Sequence, residues 1–204
     1  MARQGELFGS APCPSQPQGS ARELPLQAHQ LQEWQARLAA HQHPLLAEQG
    51  SGARQGCLFE NNSDNRSAID LLGQAERLNP LNLQPQPLSF WRWPTAPQQG
   101  AALYFVSDRP ASLSQPLLLY VGETGRADQR WKGEHDCKAY LAAYSEALLG
   151  AGLGCQLSIR FWLDVPATIQ LRRALEQAMI LRWLPPFNKE TRNRWATPFQ
   201  ADPT

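Results

Sequence analysis

Two short apolar segments, each with a single tyrosine, constrain the fold of this chain more than any other feature. Residues 103–106 read Leu-Tyr-Phe-Val, and residues 117–122 read Leu-Leu-Leu-Tyr-Val-Gly. Alternation along a strand sets each tyrosine opposite its apolar neighbours, so that Tyr120 faces away from Leu119 and Val121. If the two strands pair as a hairpin, both phenols share one face of a sheet.

The half of the chain that contains these segments reads as strand, strand, helix, helix, strand, helix. Apolar residues at helical spacing predict helices over residues 127–134, 137–149 and 164–183, the last ended by Pro185 and Pro186. Residues 156–163 alternate between apolar and polar side chains, which predicts a half-buried strand. Three strands that are mostly antiparallel favour a small α+β sandwich over a doubly wound sheet.

The first 87 residues have a different composition. They are dense in Gln, Pro, Ser and Gly and contain no lysine, and such a segment buries too little apolar surface to offset its chain entropy. We expect a mostly disordered arm over residues 1–87, followed by a folded domain over residues 88–204. Two short helices are predicted within the arm, one over residues 26–43, ended by Pro44, and a weaker one over residues 67–78.

Charge and cysteine usage restrict the cellular setting. The net charge is only +1, so that binding to nucleic acid would require a local basic surface. The four cysteines are scattered and form no C-x-x-C pair, which favours reduced thiols over a zinc site or a disulfide framework. No apolar segment approaches the length of a membrane span, and the N-terminus lacks the apolar core of a signal peptide. We expect a cytoplasmic protein that does not bind membranes.

The arm contains a short repeat, Q-G-x-L-F, in polar surroundings. Such a peptide can place two apolar anchors in a pocket while a polar side chain fixes its orientation. The repeat resembles the Q-x-x-L-F peptide with which bacterial replication and repair proteins bind the sliding clamp, and the resemblance implies that clamp as a partner. The matching residues are Gln4, Leu7 and Phe8 in the first copy and Gln55, Leu58 and Phe59 in the second.

Five polar residues in the second half have side chains suited to phosphate chemistry. A phenol near a cation can accept a proton, and this applies to Tyr104 and Tyr120. The guanidinium of Arg130 suits a phosphate whose charge grows in a transition state. The carboxylate of Glu176 suffices for Mg²⁺ when water and phosphate supply the other ligands, and Asn188 could orient a phosphate or another side chain.

Each of these residues also has an ordinary structural explanation. The tyrosines could belong to the edge of a core, and Arg130 could be a surface charge. Glu176 could pair with Arg172 one helical turn away, and Asn188 could be a turn residue after the prolines. The joint order of all five residues is therefore more informative than any one of them.

That order resembles the GIY-YIG nuclease superfamily over residues 101–195. The family pattern is an x-hydrophobic-Tyr strand, a Tyr-hydrophobic-Gly strand, an Arg one helix on, a Glu in a later helix and an Asn after a Pro-rich segment. The matching residues are Ala102-Leu103-Tyr104, Tyr120-Val121-Gly122, Arg130, Glu176 and Asn188. The resemblance implies a three-stranded antiparallel sheet flanked by helices, and metal-dependent hydrolysis of a DNA phosphodiester.

The resemblance also implies a role for each residue. Tyr104 is the expected base toward the attacking water, with Tyr120 as its partner and Arg130 on the phosphate; Glu176 is the ligand of Mg²⁺ or Mn²⁺, Asn188 is a supporting residue, and His135 is similar to a histidine that many members carry after the Arg. The sequence departs from the pattern at Ala102, where a Gly is usual, and in the long interval over residues 108–116. Neither departure removes a chemical group, and we expect an active enzyme.

A local excess of positive charge accompanies these residues. Between residues 172 and 194 there are six basic and two acidic side chains, which predicts a surface for DNA phosphates. The same residues could serve only solubility, and a catalytically silent DNA-binding or scaffold module on the same fold is the alternative to an endonuclease. The predicted DNA contacts are Arg172, Arg173, Lys189, Arg192 and Arg194.

Overall fold

The computed structural model describes residues 26–50, 73, 75–89, 98–128 and 136–199, and these form an α+β fold around one antiparallel sheet. Its strands follow the spatial order β1-β4-β2-β3. The sheet has four strands where the sequence predicted three, because β1 is only two residues long and lies in a Gln- and Pro-rich segment without a strand pattern. The strands are β1 (Gln86–Pro87), β2 (Ala102–Asp108), β3 (Leu117–Thr124) and β4 (Leu157–Trp162).

In the described part of the chain, three long helices cover the two faces of this sheet. They are α1 (Ala28–Gly50), α2 (Asp136–Gly150) and α3 (Ile169–Trp183). Helices α1 and α2 pack on the face that carries Tyr104 and Val106. Helix α3 packs on the opposite face, against Leu103 and Phe105. The α+β class and the β2–β3 hairpin that the sequence predicted are confirmed.

Helix α1 belongs to the same core as the second half of the chain. Leu31, Trp34 and Leu38 recur at helical spacing and are fully buried against α2 and the sheet. Together with β1, they extend the folded unit upstream of residue 88. Residues 1–25 and 51–72 of the predicted arm lie outside the described residues.

The prediction that Pro44 ends α1 is wrong, since the helix continues to Gly50. A proline inside a helix removes one backbone hydrogen bond and is unfavourable by itself. Tertiary contacts offset this cost near the proline. The Gln42 side chain donates to the carbonyl oxygens of Leu118 and Trp183 at 2.9 and 3.1 Å and accepts from the Leu118 N–H at 2.8 Å.

Strand β3 contains a bulge that the alternation did not predict. Val106 of β2 pairs with Tyr120, but the next residue of β2 pairs with Leu118, so that Leu119 is an extra residue. Leu119 consequently joins the same buried cluster as Tyr104, and the expectation that it lies opposite the tyrosines is wrong. A bulge inserts a residue without changing the composition of the strand, so a pattern of period two cannot reveal it.

Helix α3 begins later than predicted, at Ile169, with Thr168 preceding it in an extended conformation. It ends at Trp183 as predicted, and Leu184 follows in the left-handed region with φ of 45° before the two prolines. The last segment folds back as a short 3₁₀ helix, Arg192–Arg194. The loop between them brings Asn188 to the free edge of β3.

Candidate active site on strand β3

Four consecutive residues of β3, Tyr120–Glu123, include or contact the predicted catalytic residues that the structure describes. We call them the β3 site segment. Tyr120 and Gly122 contact Tyr104, Val121 binds Asn188, and Glu123 binds Glu176. The segment therefore joins residues from β2, α3 and the loop that follows α3.

The two tyrosines share one face of the hairpin, as the sequence predicted. Their rings stack with centroids 5.9 Å apart and planes inclined by 29°. The Tyr104 ring lies directly on Gly122, where an added Cβ would overlap Cζ and Oη and lie 2.7 Å from Cε1. Tyr104 is 0% exposed, whereas Tyr120 is half-buried. Of the two phenols, Tyr120 is therefore the one that reaches the surface.

Asn188 is bound to the backbone of the β3 site segment. Its Oδ1 accepts from the Val121 N–H at 2.9 Å, and its Nδ2 donates to the Val121 carbonyl oxygen at 2.8 Å. The side-chain amide thus makes the two hydrogen bonds that the backbone of a neighbouring strand would make. The residue is buried, and these two bonds give it a positioning role that the sequence alone could not distinguish from phosphate binding.

Glu176 lies on α3 with its carboxylate at the edge of the sheet. The Glu123 N–H donates to Oε1 of Glu176 at 2.9 Å, which fixes the orientation of a half-buried carboxylate. Within the part of the chain that is described, no cluster of three or more His, Cys, Asp or Glu side chains could hold a metal. One oriented carboxylate still fits Mg²⁺, which retains several waters and takes phosphate oxygens as further ligands.

Glu123 is a site residue that the sequence analysis missed. Its Oε2 accepts from Nε of Arg172 at 2.8 Å, and its Oε1 lies 3.6 Å from Nε of Arg173. Arg172 is buried and also donates to the carbonyl oxygens of Pro166 and Ala167. The available signal was a carboxylate directly after the Tyr-Val-Gly segment, inside a strand that is otherwise apolar.

The other predicted DNA contacts differ in accessibility. The side chain of Arg173 is 66% exposed, and Lys189 and Arg194 are exposed as well. Arg192 is half-buried: its Nη1 donates to the Tyr140 hydroxyl at 2.6 Å, and its Cζ lies 5.5 Å from the centre of that ring. Arg172 is bound by Glu123 and by the carbonyl groups of the segment before α3 and is only 4% exposed, so it offers little surface to a DNA strand.

Some predicted residues lie outside the described part of the chain. They are the predicted catalytic residues Arg130 and His135 and the two repeat motifs of the arm, with Gln4, Leu7, Phe8, Gln55, Leu58 and Phe59. Cys137 and Cys155, which lie in the described part of the chain, are both free thiols. Among the same residues, no helix combines the length and the apolar character that a membrane crossing requires.

Comparison with known proteins found no protein-family model, no curated protein and no solved structure that matches the chain. The candidate site is therefore defined by the order of its residues in the sequence and by their contacts in the fold.

Proposed function

We propose that this protein is a metal-dependent DNA endonuclease of the GIY-YIG type. The observation that carries the proposal is that Tyr104, Glu176 and Asn188 all contact the β3 site segment, which contains Tyr120. These residues come from distant parts of the sequence, and their order is the one that resembles the nuclease pattern.

The exposure of the tyrosines modifies their expected roles. Hydrolysis requires a base that meets the attacking water, and a proton acceptor must lie within hydrogen-bond reach of it. Tyr120 is half-buried and Tyr104 is fully buried, so we assign the contact with water to Tyr120. Tyr104 then positions Tyr120 by stacking on it. Arg130 remains the proposed partner of the phosphate.

Glu176 is the proposed ligand of Mg²⁺ or Mn²⁺. A bound divalent ion would polarise a phosphate oxygen and lower the pKa of a bound water. The protein's contribution is orientation: the Glu123 N–H holds one carboxylate oxygen of Glu176, and Arg172 in turn holds the Glu123 side chain. The exposed cations Arg173 and Lys189, with Arg194, would contact the DNA backbone.

The decisive experiment replaces Glu176 by Gln and measures cleavage of linear, nicked and branched DNA with Mg²⁺ and with Mn²⁺. We expect a loss of at least about 100-fold, because a catalytic metal contributes several kcal/mol to the barrier. Glu190→Gln is the matched control, since Glu190 is an exposed carboxylate outside the site segment. Cleavage by Glu176→Gln at the rate of the control would contradict the proposal.

A second pair of variants tests the assignment of the base. Tyr120→Phe should reduce the cleavage rate by about 100-fold, the usual contribution of a general base. Tyr104→Phe keeps the ring that stacks on Tyr120 and should have the smaller effect. A larger loss of cleavage rate in Tyr104→Phe than in Tyr120→Phe would show that Tyr104 is the base.

A catalytically silent DNA-binding or scaffold module is the second candidate. It is favoured by the complete burial of Tyr104 and by the bonding of Asn188 to backbone, since both side chains then serve the fold. This candidate predicts DNA binding without turnover on every substrate and with every divalent ion. It also predicts that Glu176→Gln binds DNA as well as the original protein does.

We further propose that the Q-G-x-L-F motifs bind a bacterial sliding clamp. The support is the recurrence of the motif, with the same Gly in both copies. Replacing Leu7, Phe8, Leu58 and Phe59 by Ala should abolish binding of the whole chain to a purified clamp, measured by surface plasmon resonance. Equal affinity before and after the substitutions would show that the repeat is a coincidence.

A further inference from the structure

An open cavity with both polar and apolar lining residues lies at the other end of the central strands, away from the β3 site segment. It has a volume of about 380 Å³, and its polar lining includes Ser107, Arg109, Gln156, Ser158 and Arg160. We call it the Arg160 cavity. Ser107 is three residues along β2 from Tyr104, which corresponds to roughly 10 Å at the rise of a strand. The two sites therefore belong to different ends of the sheet.

Arg160 forms the inner wall of this cavity and is only 6% exposed. Its Nη1 donates to the hydroxyl oxygens of Ser107 and Ser158, and its Nε donates to the carbonyl oxygen of Leu83 at 3.0 Å. All three acceptors are neutral. The guanidinium is thus held rigidly, but its charge is not compensated by these bonds.

The neighbouring carboxylate of Asp108 does not supply the missing charge. Side chains alternate across a strand, so Asp108 and Ser107 point to opposite faces of the sheet. Oδ2 of Asp108 accepts from the Tyr144 hydroxyl at 2.7 Å, and Oδ1 accepts from the Gln156 N–H at 2.7 Å. Among the residues that the structure describes, neither Arg160 nor Arg109 forms an ion pair.

A second cation faces the same space. Arg109 lines the cavity and is exposed, so it can adjust to an incoming group. Burial lowers the pKa of Arg160, and the charge of Arg109 lowers it further. Two like charges around one cavity are unfavourable unless an anion lies between them, because each disfavours the charged form of the other.

We infer that the Arg160 cavity binds a phosphate group. The bonds of Nη1 and Nε and the 3.1 Å bond between the Ser107 and Ser158 hydroxyls leave the two Nη2 hydrogens of Arg160 and one serine O–H as donors. These donors suit the acceptor oxygens of phosphate, and the exposed Arg109 can close over the anion. The volume lies at the lower end of the range of about 300–1,000 Å³ for small-ligand sites. The phosphate would belong either to a DNA strand or to a free phosphorylated small molecule. Phosphate binding in this cavity does not require the proposed nuclease activity.

Inorganic phosphate is the probe for the first test. Its affinity is measured from the rise in the unfolding temperature of the whole chain at constant ionic strength, for the original protein and for Arg109→Gln and Arg37→Gln. Arg37 is an exposed arginine on α1 and serves as the control. We expect Arg109→Gln to weaken phosphate binding about tenfold, as for the loss of one charge-assisted bond, and Arg37→Gln to leave it unchanged. Equal affinity in all three proteins, or no stabilisation by phosphate, would overturn the inference.

A variant of the buried arginine supplies a second measurement. Arg160→Met keeps most of the side-chain volume and removes the charge, and circular dichroism reports whether it folds. If it folds, it should lose phosphate binding, and retained binding would overturn the inference. If it does not fold, the inference is tested by the phosphate affinities of Arg109→Gln and Arg37→Gln alone.

The two sources of phosphate differ in a DNA-binding assay. In a Glu176→Gln background, Arg109→Gln should weaken DNA binding and reduce the slope of log affinity against log salt by about 1 if the cavity takes a DNA phosphate. Unchanged DNA affinity, together with weaker binding of inorganic phosphate, would assign the cavity to a free phosphorylated molecule. Both results support a phosphate site, and neither requires cleavage activity.

Discussion

The close approach of Tyr104 to Gly122 is a constraint at the level of a single residue. The phenol lies where any β-carbon at position 122 would be, and the ring is enclosed by the core. We expect Gly122→Ala to reduce the free energy of unfolding by about 1–3 kcal/mol, the usual cost of overpacking, as measured by urea denaturation. Gly154→Ala is the control, because its β-carbon would meet no atom within 4 Å. Equal stability of the two variants would contradict this account.

Asp108 should give the protein an unusual dependence of stability on pH. Burial raises the pKa of its carboxyl above 3.8, although bonds from Tyr144 and Gln156 partly oppose the shift. The folded state then binds the proton more tightly than the unfolded chain does. Protonated Asp108 therefore adds to the free energy of unfolding at low pH. This contribution is lost as the pH rises from about 4, the pKa of the unfolded chain, through the raised pKa of the folded state.

This dependence can be measured as a difference between two proteins. The free energy of unfolding of the original chain, minus that of Asp108→Asn, should fall as the pH is raised from about 4 to 7. Asn193→Ala, at an exposed amide, is the control, because it removes no titratable group and should leave the pH dependence unchanged. A difference that rises with pH would mean that Asp108 is stabilised as the carboxylate.

Single residues also show what a sequence can and cannot reveal. The shared face of Tyr104 and Tyr120 follows from strand alternation and is confirmed by their stacking. The ion pairs of Glu123 could not be predicted, because a charge near the end of a strand is usually solvated. The bonding of Asn188 to Val121 depends on where a loop returns in space, which local sequence does not determine.

At the level of elements, strand β3 depends on side chains for the hydrogen bonds of its outer edge. Asn188 bonds to both backbone groups of Val121. Asn188→Ala leaves a buried N–H and a buried C=O without a partner, and we expect a loss of about 2–4 kcal/mol in the free energy of unfolding. Asn193→Ala changes an exposed amide in the same segment and should have little effect. A loss below about 0.5 kcal/mol for Asn188→Ala, typical of surface positions, would show that water replaces the amide.

The contribution of α1 to the core can be measured with two identical substitutions. Leu38 is 0% exposed on α1, whereas Leu149 is 78% exposed on α2. We expect Leu38→Ala to destabilise the protein by about 2–5 kcal/mol, because it removes buried methyl groups and leaves a cavity. Leu149→Ala should change stability by less than about 0.5 kcal/mol. If both substitutions were neutral, α1 would not be part of the cooperative unit.

Elements with a long, regular pattern were predictable, and short or interrupted ones were not. Helix α2 follows its apolar spacing closely, and the β2–β3 hairpin follows from two apolar segments. Strand β1 has two residues and exists only through its pairing with β4. The passage of α1 through Pro44 depends on bonds from Gln42 to β3 and α3, which are tertiary contacts.

At the level of the whole molecule, the proposed DNA binding would depend on local charge, since the net charge is only +1. The exposed cations of the proposed DNA surface are Arg173, Lys189 and Arg194. Replacing all three by Gln should weaken DNA binding and lower the slope of log affinity against log salt by about 0.9 for each phosphate that the protein no longer neutralises. The buried Arg172 is excluded from this set, and Arg37→Gln is the control. An unchanged slope would place the DNA surface elsewhere.

The side-chain amides on β3 also limit how this protein can aggregate or exchange segments with another copy. Gln42 and Asn188 bond to Leu118 and Val121, and the Phe187 N–H donates to the carbonyl oxygen of Leu119 between them. A foreign strand would have to displace all three before it could extend the sheet there. On the opposite edge, β1 pairs Gln86 and Pro87 with Ile159 and Ser158 of β4, and Pro87 has no N–H to donate to an incoming strand. Within the part of the fold that is described, the β3 edge of the sheet therefore resists growth by strand addition.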